Sequence, residues 1–178
     1  MNKKKNTILV CDDDREIVDA IEIYLSQEGY RILKAYDGVQ AVEMLEQEDV
    51  QLLLIDIMMP KLDGLRATLK IREKSSIPII ILSAKSEDAD KILGLNIGAD
   101  DYVTKPFNPL ELVARVKAHL ARYQRLTQGG QKAENGQVIR VADLEIYPQS
   151  WKVYKAGREI KMPNREFELL KFLAEHPN

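Results

Sequence analysis

Asp12, Asp13 and Asp14 follow directly on the apolar run Ile8–Cys11, and three later apolar runs also end in polar residues: Asp56 closes "LLLID", Ser83 follows "IIIL", and Thr104-Lys105-Pro106 follows "DYV". Like charges about 5 Å apart repel by roughly 3 kcal/mol at an effective dielectric of about 20, so the acidic triplet needs compensation. The triplet alone leaves two readings open: one aspartate caps the next helix while the others are solvated, or a cation sits among them. Clustered carboxylates with one lysine describe a site for a hard cation. Mg2+ prefers oxygen ligands, keeps several waters, and commonly takes one or two carboxylates plus phosphate oxygens. Such an ion would offset the acid repulsion and neutralise a phosphoryl group arriving at one carboxylate. Lys105 would add a second positive charge and Ser83 a hydroxyl. These are the parts for phosphoryl transfer by positioning and electrostatics, with an aspartate as nucleophile.

These residues meet only if the chain folds suitably. Short apolar runs recur at 8–11, 31–35, 52–56, 77–82 and 101–104. Between them lie stretches with helical spacing: Ile17, Ile21, Tyr24 and Leu25; Ala41, Val42 and Leu45; Leu65, Thr68, Leu69 and Ile71; Ile92, Leu95 and Ile97. "NPLELVARVKAHLARY" predicts a fifth helix, with Asn108 as N-cap, Pro109 in its first position, Glu111 completing a capping box, and Val113, Val116 and Leu120 inward. Strand and helix thus alternate five times. Connections of this length cross over, which predicts an α/β fold with a doubly wound parallel sheet. "LLLI" and "IIIL" suit strands covered on both faces. In the flavodoxin-like order 2-1-3-4-5, strands one and three are neighbours at the switch point, and ligands bind at the carboxyl ends there. That order brings Asp12, Asp13 and Asp56 together, with Lys105 and Ser83 beside them.

The chain has 178 residues, 45% hydrophobic and 30% charged, enough for one domain and part of another. Its single cysteine, Cys11, excludes a disulfide framework and fits a reducing cytosol. The apolar run after the basic start is too short for a signal peptide, and no run approaches a membrane span. Residues 1–121 carry 16 Lys/Arg against 21 Asp/Glu, and residues 122–178 carry 10 against 7. That asymmetry suggests two modules with different partners. "YQRLTQGGQKAENGQ" (123–137) reads as a linker. Beyond it, "DLEIY", "WKVYK" and "REIKM" alternate like half-exposed antiparallel strands, and an amphipathic helix follows with Phe167, Leu170 and Leu173 or Ala174 inward.

"ILVCDDD", "LLLIDIMMPKLDG", "IIILSAKS" and "GADDYVTKPF" resemble, in order and spacing over residues 7–122, the receiver domain of two-component response regulators. The resemblance implies that Asp56 is the phosphoacceptor. It implies that Asp13, Asp56 and the backbone carbonyl of Met58 hold Mg2+, with Asp12 supporting the ion through water. It also implies that Lys105 pairs with the phosphoryl group next to a cis bond to Pro106, and that Ser83 and Tyr102 form a switch pair. The family usually has valine where Cys11 stands and glutamate where Asp14 stands; Asp14 reads as the cap of the first helix. Residues 138–178 resemble the start of an OmpR/PhoB-type winged-helix effector domain, with Pro163 where that family usually has threonine. A helix-turn-helix needs two further helices, so this part reads as truncated before the recognition helix. It is expected to be poorly folded or held by partner contacts.

The implied protein is cytoplasmic, has no membrane association, and is not an enzyme beyond its own Mg2+-dependent phosphorylation and dephosphorylation. It takes phosphate from a sensor histidine kinase, dimerises, and at full length binds promoter DNA, which this fragment would not. The expected two-fold interface runs through the stretch around Lys91, Ile92 and Leu95, the fifth strand at Asp101, and the helix carrying Glu111, Ala114 and Arg115. Lys91 would pair with Glu111, and Asp101 with Arg115, across the axis. A receiver acting through protein contacts alone is the alternative. A haloacid-dehalogenase-type enzyme would need an acid two residues after the nucleophile, where Met58 stands. A flavodoxin would need a phosphate loop in place of "DDDRE".

Overall fold

A computed structural model of the chain describes residues 5–84, 96–128, 138–148 and 151–176. The first module is built from β1 (Thr7–Cys11), α1 (Arg15–Gln27), β2 (Arg31–Ala35), α2 (Gly38–Gln47), β3 (Leu52–Asp56), α3 (Gly64–Arg72), β4 (Ile79–Ser83), β5 (Asp101–Thr104) and α4 (Pro109–Gln128). Its five strands are parallel, in the order β2-β1-β3-β4-β5, as the alternation predicts. The expected helical stretch at 92–97 and the interface residues Lys91, Ile92 and Leu95 lie outside the described residues, apart from the segment starting at Asn96.

The three central strands are buried along their whole length, so their near-continuous apolar sequence feeds two cores. Leu9, Cys11, Leu53, Ile55, Ile79 and Ile81 face one side, with Ala41, Ala67 and Ile71 from α2 and α3. Ile8, Val10, Leu52, Leu54, Ile80 and Leu82 face the other, with Val18, Ile21 and Leu25 from α1 and Leu112, Val116 and Leu120 from α4. Some helix faces are rotated slightly from the sequence reading. Leu112 rather than Val113 is the buried residue in the first turn of α4, and Tyr24 and Leu69 point outward. Each of α1, α2 and α3 starts at an aspartate in extended conformation, Asp14, Asp37 and Asp63, whose carboxylate accepts a backbone N–H of the first turn. Asn108 does the same for α4 through the amide of Leu110. The Glu111 carboxylate engages Arg115, one turn ahead in the helix.

Two features were not legible in the pattern. First, α4 continues to Gln128, so the chain is helical past Arg122, where the sequence reading ended the module and began a linker; within the described residues the irregular linker can start only after that helix. Second, Arg72 at the end of α3 is nearly buried and donates to the carbonyls of Gly98, Ser75 and Ile77 and to Asp100 Oδ2 at 2.8 Å. Asp100 in turn accepts the amide of Ile79 at 2.9 Å. This pair closes the sheet edge where β4 and β5 begin.

The second module is an antiparallel sheet of β6 (Ile139–Val141), β7 (Leu144–Tyr147), β8 (Lys152–Lys155) and β9 (Arg158–Ile160), followed by α5 (Asn164–Glu175). It has its own small core of Ile146, Val153 and Phe167, with Trp151 stacked on Phe167 at 4.9 Å. An antiparallel sheet and a helix are thus formed where the sequence reading expected a part that is poorly folded or held by partner contacts. This module also leans on the first: Arg165 donates to the Asp100 carbonyl at 3.3 Å, and Arg122 pairs with Glu168 and lies over the Trp151 ring. Ala174 rather than Leu173 completes the inner face of α5, and Leu169, Phe172 and Leu173 are exposed. Pro163 begins α5 without a side-chain cap.

Removing one partner of a buried ion pair strands the other charge and typically costs about 3–5 kcal/mol. Arg72→Ala is expected to lower the stability of the chain by that order in urea denaturation. A loss below about 1 kcal/mol would show that Asp100 is not held by this pair.

Candidate functional site

The switch point between β1 and β3 gathers the acidic residues. Ligand oxygens of Asp12, Asp13 and Asp56 all lie within 4.8 Å of one another. Asp12 and Asp56 are 1% and 5% exposed, while Asp13 is open to solvent. Lys105, arriving from the end of β5, pairs through Nζ with Asp12 Oδ2 and lies 3.2 Å from Asp56 Oδ1. Asp14 stands apart from the cluster. Its carboxylate accepts the amides of Glu16 and Ile17, and its own amide donates to Asp12 Oδ1 at 3.0 Å. Asp14 is therefore the helix cap of the first reading; Asp12 is buried rather than solvated, and Asp12 and Asp13 stand with Asp56 in a group that could hold a metal ion.

Backbone geometry fixes where these groups stand. The amide of Lys105 donates to the Ser83 carbonyl at 2.8 Å, tying the end of β5 to the end of β4, and the Lys105–Pro106 bond is cis as expected. Ser83 is fully buried and pairs in register with Thr104; Tyr102, half-buried, pairs with Ile81. Met58 lies just beyond Asp56 and is 60% exposed. Directly after β3 the chain makes a tight return: the amide of Gly64 donates to the Ile57 carbonyl at 2.9 Å, and a Cβ at Gly64 would lie 2.0 Å from the Asp56 carbonyl oxygen. Only glycine lets α3 start this close to the strand end.

The electrostatics follow from crowding. Burial pushes the Asp56 carboxyl up to about 6, with Asp12 adding to the rise and Lys105 opposing it. Burial works against the Lys105 charge, yet its bond to Asp12 and the charges of Asp56 and Asp12 hold its pKa above the ordinary lysine value. An all-oxygen donor set with excess negative charge fits Mg2+ rather than a softer ion.

The remaining predicted residues are placed differently. Arg115, expected to pair with Asp101 across a two-fold axis, binds it within one chain: Nη1 lies 2.9 and 3.0 Å from the two Asp101 oxygens. Arg115 also holds Glu111, and His119 Nε2 lies 3.0 Å from Asp101 Oδ2. Burial would raise the Asp101 carboxyl, but His119 and Arg115 hold it down to about 2. Ala114 is exposed on the same helix. His119 was not singled out in the sequence. Its signal was its position one helical turn after Arg115, on the face turned to β5.

Residues 8–117 match the family model described as the response regulator receiver domain. The receiver domain of Francisella response regulator 1452 is 37% identical, with 66% of this chain and 98% of that one covered and a TM-score of 0.64. The BeF3-activated receiver domain of Klebsiella pneumoniae RstA is 34% identical over 65% of this chain and 98% of that one, with a TM-score of 0.63. DrrB, described as a Thermotoga maritima OmpR/PhoB homologue, is 34% identical over 96% of this chain and 73% of that one, with a TM-score of 0.60.

A folded-state pKa of about 6 for Asp56, above its ordinary 3.8, means that its stability contribution is full below pH ~4 and is lost as pH rises through ~6. The loss is on the order of 3 kcal/mol at 1.36 kcal/mol per unit. A cation bound to the carboxylate reverses that penalty only where Asp56 is ionised. Mg2+ is therefore expected to raise the thermal midpoint more at pH 7.5 than at pH 5, by differential scanning fluorimetry. Equal shifts at both pH values would contradict the assignment of Asp56 to the cation site.

Proposed function

This chain belongs to the response regulator receiver family, and we propose that it accepts a phosphoryl group on Asp56 from a sensor histidine kinase. The observation that carries the reading is the placement of Asp56 at the switch point. It is nearly buried, stands against Asp12 and Asp13, and has Lys105 Nζ at 3.2 Å. In its ionised form an Asp56 oxygen attacks phosphorus, the bond to the donor imidazole breaks, and an acyl phosphate forms. Asp13, Asp56 and the Met58 carbonyl would hold Mg2+, with Asp12 behind them; when bound, the ion would neutralise phosphoryl oxygens at the carboxylate. Lys105 orients the incoming group and supplies charge from the opposite side. The Ser83 hydroxyl, at the end of β4, is the group to follow the phosphoryl oxygen, and Tyr102 on β5 the one to turn behind it. The chain acts on no separate substrate in this reading.

We further assign the second module to an OmpR/PhoB-type winged-helix effector domain. The support is the alignment with DrrB across 96% of this chain, which includes the antiparallel sheet and α5. The chain spans 73% of DrrB. Promoter binding therefore belongs, in this proposal, to a full-length protein whose recognition helix follows α5. The module boundary is placed after α4, at Gln128. A cytoplasmic location accords with the unpaired Cys11, and among the described residues no helix is long and apolar enough to cross a membrane. The dimer would form on the face of β5 and α4. The Arg115 bonds to Asp101 and Glu111 within the chain would then have to open or be shared with the second copy.

Incubation with acetyl phosphate and Mg2+ is expected to add one phosphoryl group by intact mass, and Asp56→Asn to add none. A variant still modified would remove Asp56 from this role. Asp13→Asn is expected to weaken Mg2+ binding by calorimetry far more than Asp14→Asn, because Asp14 is occupied as a cap. Equal losses would mean that the two aspartates are assigned the wrong way round.

A further inference from the structure

The loop 57–63 between β3 and α3 is moored to the turn before α2 at three points, two at Asp37 and one at the next residue, Gly38. Lys61 Nζ lies 3.3 Å from Asp37 Oδ2. The amide of Gly38 donates to the Leu62 carbonyl at 3.2 Å, in a contact so close that a Cβ on Gly38 would lie 2.3 Å from that oxygen. The Cys11 thiol reaches the Asp37 carbonyl at 3.2 Å and the Met59 sulfur at 3.5 Å. Cys11 is fully buried.

The mooring is firm at one end and costly at the other. Asp37 is 4% exposed and caps α2 through the Gln40 amide at 2.8 Å. Lys61 is held at φ 65°, a left-handed conformation that a residue with a side chain adopts only when its surroundings impose it. The ion pair itself is open to solvent on the lysine side and contributes little to stability. What it does do is fix the loop whose second residue, Met58, carries the carbonyl assigned above to the cation.

We propose that Asp37 is a positioning residue for the metal site: through Lys61 on its carboxylate and through Met59 by way of the Cys11 thiol on its carbonyl, beside the Gly38 bond to Leu62, it sets the backbone of the loop that presents the Met58 carbonyl. The proposal rests on the reading of the Asp12–Asp13–Asp56 group as an Mg2+ site. It goes beyond that reading because Asp37 touches neither the ion nor the phosphoryl group.

The test is calorimetric titration of the whole chain with Mg2+, alongside thermal unfolding in Mg2+-free buffer. Asp37→Asn keeps the cap, because asparagine caps as well as aspartate, but loses the charge that holds Lys61. Asp37→Asn and Lys61→Met are each expected to weaken Mg2+ binding by about tenfold, the lower range for outer-shell partners of a metal site. The Mg2+-free unfolding midpoint of Lys61→Met stays unchanged, because that lysine is open to solvent, and Lys61→Arg restores affinity. Mg2+ affinities indistinguishable from the parent, or an affinity loss that Lys61→Arg does not recover, would overturn the proposal. If the parent binds no Mg2+, the site reading falls and this inference with it. Should Asp37→Asn fail to fold, the infrared S–H stretch of the single cysteine decides. Mg2+ is expected to shift this band in the parent, and a band that does not move overturns the mooring.

Discussion

One lysine holds the functional end of the first module together. Three carboxylates converge where β1 and β3 end, and Lys105 is the cation that stands between the two buried ones, bonded to Asp12 and 3.2 Å from Asp56. At an effective dielectric of about 20, two unit charges 4 Å apart interact by about 4 kcal/mol, so one cation can offset one such repulsion and not three. Burial first, and then the neighbouring Asp12 charge, raise the Asp56 carboxyl in spite of Lys105. A site left short of positive charge in this way could hold a cation, as receiver domains bind Mg2+ at an acidic pocket, whereas a structural ion pair would be balanced. The burial of Asp12 and Asp56 sharpens this contrast, because desolvation makes each uncompensated charge costly.

Lys105 can do this only if β5 ends in the right place, and the backbone secures that. The Lys105 amide is bonded to the Ser83 carbonyl, and β5 runs in register with β4. On the other side, Gly64 lets the start of α3 approach the end of β3, and Gly38 lets the start of α2 approach the loop at Leu62, more closely than any side chain would allow. Aspartates cap the three helices that leave these strand ends. The same residue type thus does two jobs within a few residues. Asp14 and Asp63 spend their oxygens on helix N–H groups, and Asp12, Asp13 and Asp56 keep theirs for the site.

The sequence revealed this end of the molecule well for a physical reason. Buried parallel strands require continuous apolar runs, so their ends are sharp, and the first polar residue after each run is the one at the carboxyl edge. Asp12, Asp56 and Ser83 stand at such positions, and Lys105 directly follows Thr104 at the end of β5. Less was legible where a residue's partner is distant in sequence and no periodicity announces it. Arg72 reads as an ordinary basic residue at a helix end until Asp100 is folded against it. The resemblance implies a pairing of Asp101 with Arg115 across a two-fold axis, and nothing in the sequence announces that the two also pair within the chain. β6 was missed because three residues beside a Gln- and Gly-rich stretch are too short to show alternation. The overrun of α4 to Gln128 was missed because Gln, Arg and Thr carry no apolar stripe, although they are tolerable in a helix; half-buried Tyr123 and buried Leu126 supply what packing there is.

The short strand β5 is where these separate constraints meet. Asp100, just before it, holds Arg72 and the Ile79 amide by its carboxylate and Arg165 of the second module by its carbonyl. Asp101 holds Arg115 and His119. Tyr102 and Val103 carry the strand, and Lys105 reaches Asp12 and Asp56. Charge-assisted bonds of this kind are stronger than neutral ones and directional, so the strand cannot slide by small amounts without breaking several at once. Its alternatives are therefore discrete rather than continuous, as packed elements generally have two arrangements rather than a range. The carboxylate site lies at one end of this strand and the contact with the second module at the other. Lys105 at one end and Asp100 at the other thus tie both the carboxylate group and Arg165 of the second module to a strand of four residues, while Arg122 of α4 makes the further contacts to Glu168 and Trp151.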